Sequence, residues 1–173
     1  MRRDLRGAVI FDRDGVLNAD VGYAHRPDQI EWVEGALEAV KAVNAVGLFA
    51  FVATNQSGVG RGYYDEAAVE RLHAWMGAEV AAAGGRIDAF VFCPHHPEAP
   101  LEAYRRDCDS RKPGPGMIRS LLARFPVDPA RTVMIGDRDS DLAAAAAAGI
   151  EGMLFEGGSL LDLVLPLAAR LTT

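Results

Sequence analysis

The chain has 173 residues, half of them hydrophobic, and a net charge of −6. That is enough apolar material for one domain with its own core and too much for a disordered chain. The acidic balance argues against general nucleic-acid binding, the one basic run at the start being Arg2-Arg3; no stretch approaches membrane-spanning length.

The apolar run behind Met1-Arg2-Arg3-Asp4-Leu5-Arg6 is too short for a signal peptide, so a cytoplasmic chain is expected. A first strand is predicted over Gly7 to Phe11, a short apolar run. It leads into Asp12-Arg13-Asp14-Gly15-Val16-Leu17-Asn18. Two aspartates one residue apart at a strand's carboxyl end can share a crevice. One can attack while the other handles protons. An isolated D-x-D pair is more often two solvated loop acids; the strand before it and Gly-Val-Leu-Asn after it raise its meaning. Ala19 to Trp32 reads as loop. Tyr23, His25 and Arg26 stand close enough to the acids to rim a pocket, though His25 by itself reads as an ordinary loop residue.

A helix follows from Glu34-Gly35-Ala36, with Leu37, Val40, Val43 and Val46 at helical spacing, and stops at Gly47. Leu48 to Ala53 is a continuous apolar run, as a parallel strand buried on both faces requires. It ends in Thr54-Asn55-Gln56-Ser57-Gly58-Val59-Gly60-Arg61-Gly62, a second collection of polar groups at a strand end. Asp65 is placed to cap a helix running to about Ala83. Val69, Leu72, His73, Met76 and Val80 mark its inner stripe, and His73 reads as a packed histidine rather than a ligand.

A third strand is predicted over Ala89 to Phe92, then a long loop from Cys93 to Gly116. Loops of that length are usually functional. In an intracellular chain Cys93 and Cys108, which flank it, read as a metal or redox arrangement rather than a structural disulfide. A short helix over Met117 to Phe125 and a fourth strand over Thr132 to Ile135 lead to Gly136-Asp137-Arg138-Asp139-Ser140-Asp141. An alanine-rich helix follows from Leu142 to Ala148, then a strand near Gly152 to Phe155 and a helix from Leu160. Alternating strands and helices predict a three-layer, Rossmann-like α/β fold, a parallel sheet covered on both faces, in one domain over residues 1–173.

Three strand ends then carry Asp12 and Asp14, Thr54, Asn55 and Ser57, and Asp137 with Asp141, while the long loop supplies Lys112. Converging carboxylates repel one another unless a cation joins them. A hard ion such as Mg²⁺ takes one or two carboxylates, waters and a substrate phosphate. Lys112, the Thr54 hydroxyl and turn N–H groups suit phosphate oxygens. Together these are parts of a phosphoryl-transfer site.

This set resembles the haloacid dehalogenase (HAD) superfamily of phosphatases. It matches at Phe11-Asp12-Arg13-Asp14-Gly15-Val16, Thr54-Asn55, Lys112-Pro113 and Gly136-Asp137 with Asp141, four motifs in order over nearly the whole chain. Asn18 with Gly22-Tyr23, Thr54-Asn55-Gln56-Ser57-Gly58, Arg61-Gly62, Cys93-Pro94-His95-His96-Pro97 and Arg111-Lys112-Pro113 look like the D-glycero-D-manno-heptose 1,7-bisphosphate 7-phosphatases. The histidinol-phosphate phosphatases are near relatives. The resemblance implies Asp12 as nucleophile, Asp14 as acid and base, and Thr54 and Lys112 on the phosphoryl group. It implies Mg²⁺ on Asp12, Asp137 and the backbone carbonyl of Asp14, with Asp141 behind them. It places Arg13, Asp20, Val21, Gly22, Tyr23, Asn55, Gln56, Ser57, Arg111 and Arg138 around a small phosphorylated sugar. The segments between the motifs leave no room for a large cap domain, so an open site is expected; the charge and the lack of a spanning stretch predict no nucleic-acid or membrane partner, and the lack of a spare apolar stripe predicts a monomer.

Cys93, His95 and Cys108 look like three ligands of a structural Zn²⁺ site whose fourth cysteine is replaced here by Ser110. Water, Asp107, Asp109 or His96 remain open as the fourth ligand, as does a loop that packs without metal. Two other classes compete with this reading. Gly58-Val59-Gly60-Arg61-Gly62 lies between strand and helix like a nucleotide-binding loop, but its third glycine comes one position early and it follows the second strand. A non-catalytic relative is disfavoured by the intact Asp12, Asp14, Lys112 and Asp137.

Overall fold

The computed structural model describes residues 4–173, so the Arg2-Arg3 run lies outside the described residues. Among the described residues five parallel strands form one sheet: β1 (Arg6–Phe11), β2 (Phe49–Asn55), β3 (Ala89–Cys93), β4 (Val127–Gly136) and β5 (Glu151–Leu154), in the order β3-β2-β1-β4-β5. Five helices intervene: α1 (Ala36–Ala45), α2 (Glu66–Ala82), α3 (Gly116–Arg124), α4 (Asp139–Ala148) and α5 (Leu160–Leu171). The result is a three-layer Rossmann-like α/β fold.

Alternation along β1 explains the layers. Val9 and Phe11 pack with α1 and α5, while Ala8 and Ile10 pack with α3 and α4. Every residue of β1 past Arg6 is buried, which is why its sequence is apolar without a polar face. The chain builds outward from β1 to β3, then returns to lay β4 on the other side of β1. The switch point between β1 and β4 is where sheets of this kind open a crevice at their carboxyl ends. Register brings those ends level, Phe11 being opposite both Val52 and Ile135.

Two elements begin three or more residues before their predicted bounds. β4 begins at Val127, not Thr132, because Val127 pairs with Arg6 and the register then shifts so that Thr132 pairs with Ala8. Its apolar pattern is hidden by the Asp128-Pro129-Ala130-Arg131 excursion, where the Thr132 hydroxyl donates to the Asp128 carbonyl at 2.7 Å. α4 begins at Asp139, not Leu142. Acidic residues in a first turn satisfy free N–H groups and the helix dipole, and the Asp141 carboxylate accepts from the N–H groups of Asp137 and Arg138. α2 begins after Asp65, whose carboxylate accepts from the Ala68 N–H at 2.8 Å. Its buried residues are the predicted stripe Val69, Leu72, His73, Met76 and Val80. Among the described residues, no helix is long and apolar enough to cross a membrane.

Candidate active site

The carboxyl ends of β1, β2 and β4 converge on a cavity of about 530 Å³ lined by Asp12, Asp14, Thr54, Asn55, Gln56, Ser57, Lys112 and Asp141. Asp20, Gly22, Tyr23, Arg111 and Arg138 also line it. These residues come from four separate stretches of sequence.

At the floor, Lys112 is almost wholly buried. Its ammonium donates to Asp12 Oδ1 at 2.8 Å and the Ala53 carbonyl at 2.9 Å, and lies 2.6 Å from Asp141 Oδ1. Asn55 holds it there: the Lys112 N–H donates to Asn55 Oδ1, and Asn55 Nδ2 donates to the Lys112 carbonyl. Burial pushes the Asp12 carboxyl up to about 7, with Asp141 and Asp137 adding to the rise and Lys112 opposing it. Asp12 and Asp141 raise the Lys112 pKa against the lowering effect of burial.

Asp12, Asp137 and Asp141 each present an oxygen within 4.8 Å of the others. Asp137 Oδ1 is buried with no hydrogen-bond partner. Three carboxylates, one of them with an unsatisfied buried oxygen, are hard donors suited to Mg²⁺. Gly15, at φ 92°, makes room for them: a β-carbon there would collide with the Asp137 carboxylate.

Asp14 faces the cavity from the turn after β1. It accepts from Asn18 Nδ2 at 2.9 Å, Gln56 Nε2 at 3.1 Å and the Arg13 guanidinium, Nε and Nη2, at 3.1 and 3.0 Å. The expectation that Arg13 touches substrate is therefore corrected. Arg13 is fully buried, its guanidinium folded onto Asp14 and absent from the cavity lining. Val21 is about half exposed and does not line the cavity, whereas its neighbours Asp20, Gly22 and Tyr23 do.

The rim is cationic. Arg138 meets Asp20 at 3.1 Å. Arg111 Nη1 is buried without a partner, and so is the Nε of Arg61, which does not itself line the cavity. Burial lowers the Arg111 pKa, and Arg61 and Arg138 lower it further. Tyr64 was not anticipated. Its ring stacks on His25 with centroids 4.7 Å apart, and its hydroxyl donates to Gln56 Oε1 at 2.8 Å. Burial pushes that phenol up to about 12. The pair Tyr63-Tyr64 carries no signal of which ring turns inward, since that depends on Gly58. A side chain at Gly58 would run into the Tyr64 ring, and one at Gly60 would crowd Ala99 and the Pro94 carbonyl. The glycines serve close packing, which leaves the dinucleotide reading without a phosphate cradle.

The Cys93–Gly116 loop is organised by a bridge between His96 and Arg105 and a 3₁₀ turn at Glu102–Tyr104. Cys93, His95 and Cys108 present donor atoms within 4.8 Å of one another. Cys93 Sγ is 3.8 Å from His95 Nδ1, and Arg106 Nη2 is 2.6 Å from His95 Nε2. Burial pushes the Cys93 thiol up to about 11. His96 Nδ1 accepts from the Glu98 N–H at 2.9 Å, which occupies it.

A Rossmann-like sheet with carboxylates at the ends of β1 and β4 and a lysine between them defines a HAD-type hydrolase, and a family model described as HAD-hyrolase-like matches residues 110–164. A protein of Rhodopseudomonas palustris named D-glycero-beta-D-manno-heptose-1,7-bisphosphate 7-phosphatase is 49% identical over 152 residues, 88% of this chain and 84% of its own. The Escherichia coli K12 protein of the same name is 40% identical over 83% of this chain and 75% of its own. The chain belongs to this phosphatase family. Among solved structures, a D,D-heptose 1,7-bisphosphate phosphatase from B. bronchiseptica complexed with magnesium and phosphate aligns with TM-score 0.78 and 33% identity, over 96% of each chain. A protein from Mesorhizobium loti described as HAD-like aligns with TM-score 0.88 and 28% identity, over 96% of this chain and 88% of its own.

Proposed function

We propose that the chain is a phosphomonoesterase that removes the 7-phosphate of D-glycero-D-manno-heptose 1,7-bisphosphate through an aspartyl-phosphate on Asp12. The observation that carries the reading is the make-up of the cavity lining. It holds Asp12, Asp14, Lys112 and Asp141, and also Arg138 and Arg111, the latter with an unpartnered buried N–H. A substrate with two phosphates satisfies both the carboxylate–lysine cluster and the arginines. The names of the relatives supply the sugar.

An Asp12 oxygen attacks phosphorus in line with the ester oxygen. The P–O ester bond breaks, and protonated Asp14 gives its proton to the departing sugar oxygen. Asp14, now a carboxylate, takes a proton from water. The water oxygen attacks phosphorus, the Asp12–phosphate bond breaks, and inorganic phosphate leaves. Lys112 and the Thr54 hydroxyl hold the equatorial phosphoryl oxygens. Asp12, Asp137 and the Asp14 carbonyl would hold Mg²⁺, and the orphaned Asp137 oxygen fits that role. When bound, the ion neutralises charge on carboxylates and phosphate alike. Arg111, Asn55, Ser57 and the Asp20–Tyr23 loop contact the rest of the substrate.

We further propose a Zn²⁺ ion on Cys93, His95 and Cys108, with Ser110 in place of the fourth cysteine. Arg106 would have to leave His95, because Nδ1 can bind the ion only when Nε2 carries the proton. The thiol chemistry suits a cytoplasmic setting.

The test is phosphate release with Mg²⁺, comparing heptose 1,7-bisphosphate with histidinol phosphate. The expected result is a strong kcat/KM preference for the heptose, and an Asp12→Asn protein that folds but turns over at least about a thousandfold more slowly. Preference for histidinol phosphate would reassign the substrate. Substantial turnover by Asp12→Asn would remove the nucleophile.

A further inference from the structure

Among the described residues Arg13 is the largest fully buried side chain, and its charge lies against Asp14 of the active-site turn. A buried guanidinium without partners would cost several kcal/mol, so each of its contacts has weight. Nε and Nη2 fork onto the two oxygens of Asp14. Nη2 also donates to the Ala24 carbonyl at 2.8 Å, at the end of the Asp20–Tyr23 loop. Nη1 lies 3.2 Å from His73 Nε2 on α2. The His73 ring is clamped between Phe90, stacked at 4.6 Å, and Phe92, edge-on at 5.9 Å. Burial, helped by the Arg13 charge, drives the His73 pKa down to about 3. His73 is therefore neutral, and its Nε2 is an acceptor for Arg13.

We infer that Arg13 is a positioning residue for the acid–base carboxylate Asp14, locked in turn by His73, so that helix α2 and the substrate loop set the aim of the proton transfer. This rests on the role proposed for Asp14. A planar fork fixes both oxygens of a carboxylate in one plane, which a lysine cannot do. The Asn18 and Gln56 amides add one bond to each oxygen, leaving Asp14 little rotational freedom about its side chain. Arg13 reaches no cavity-lining position and so touches neither phosphate nor sugar. Its effect on the proton transfer passes through Asp14.

The experiment is a double-mutant cycle on p-nitrophenyl phosphate with Mg²⁺, followed by stopped flow. Nitrophenolate leaves without a proton, so phosphorylation of Asp12 does not need Asp14, whereas hydrolysis of the phosphoenzyme does. Arg13→Lys should release its first equivalent of nitrophenol nearly as fast as the wild type. It should then turn over about a hundredfold more slowly, the scale of a general acid–base contribution. Asp14→Asn should show the same burst and a larger fall. The double variant should be no slower than Asp14→Asn, because groups acting as one unit are not additive. His73→Gln, whose amide oxygen keeps the acceptor, should stay near the wild type, and His73→Phe should reproduce part of the Arg13→Lys defect. Should Arg13→Lys not fold, His73→Phe takes its place in the cycle. A double variant slowed by the full product of the single effects, or a burst slowed as much as turnover, overturns the inference. If Asp14→Asn were as fast as the wild type, the role of Asp14 would fall and the inference with it. If only Asp14→Asn were slow, the inference alone would fall.

Discussion

Single residues carry opposing influences that neighbours decide. Asp12 is pushed up by burial and by two other carboxylates, and pulled back by Lys112. A cation on Asp137 would add to the pull. His73 has no such opposition, and its protonation is costly in the folded state. Its pKa is about 3 there against 6.5 ordinarily. The folded state thus binds fewer protons than the unfolded state between those values. The stabilisation is present above pH 6.5 and is lost as pH falls toward 3. Each pH unit below the ordinary value costs about 1.4 kcal/mol, so lowering pH from 7 to 5 should cost about 2 kcal/mol through this residue. Urea titrations of wild type and His73→Gln at the two pH values should differ in slope with pH by that amount. Equal slopes would show that His73 titrates normally.

At the scale of elements, the informative piece is the Cys93–Gly116 loop. It has little regular structure, yet it delivers Arg111 and Lys112 to a site built by strands. Asn55 fastens its far end to β2, and Gly60 lets its near end pack on the turn after β2. The proposed Zn²⁺ would staple the middle, with one protein ligand fewer than closed structural sites have. Plasma mass spectrometry of purified protein should find about one zinc per chain. Cys108→Ala should lose the metal, and Ser110→Cys should slow its removal by a chelator. Metal-free protein with a protease-resistant loop would defeat the proposal. Gly15 belongs to this scale too: Gly15→Ala would drive the Asp137 carboxylate from its place, so activity should fall far more than stability, read by turnover and thermal melting.

For the whole molecule, we propose one cooperative monomeric domain. α5 supplies Leu160, Val164, Leu167, Ala168 and Leu171 to the same core as β1, α1 and β4. That core sits directly beneath the active-site turn. Leu167→Ala should lower the free energy of unfolding by about 2–5 kcal/mol. Loss of near-ultraviolet signal and of activity should coincide in one transition, at a sedimentation mass of one chain. Two separate transitions would divide the domain.

Apolar runs bounded by glycines and caps made five strands and five helices legible, because burial on both faces of a parallel sheet and the helical period leave direct marks on composition. The spacing of Asp12 and Asp14, of Thr54 and Asn55, and of Asp137 and Asp141 was equally plain, because each group stands on one local turn. What the tertiary structure decided is which way side chains face and what they meet. Arg13 shares its motif with two cavity residues yet turns inward, because its partners Ala24 and His73 lie 11 and 60 residues away. Tyr64 enters the site because Gly58 gives way to it, and β4 begins early because an irregular register hides it. Such pairings depend on distances across the fold, which local patterns in a chain do not record.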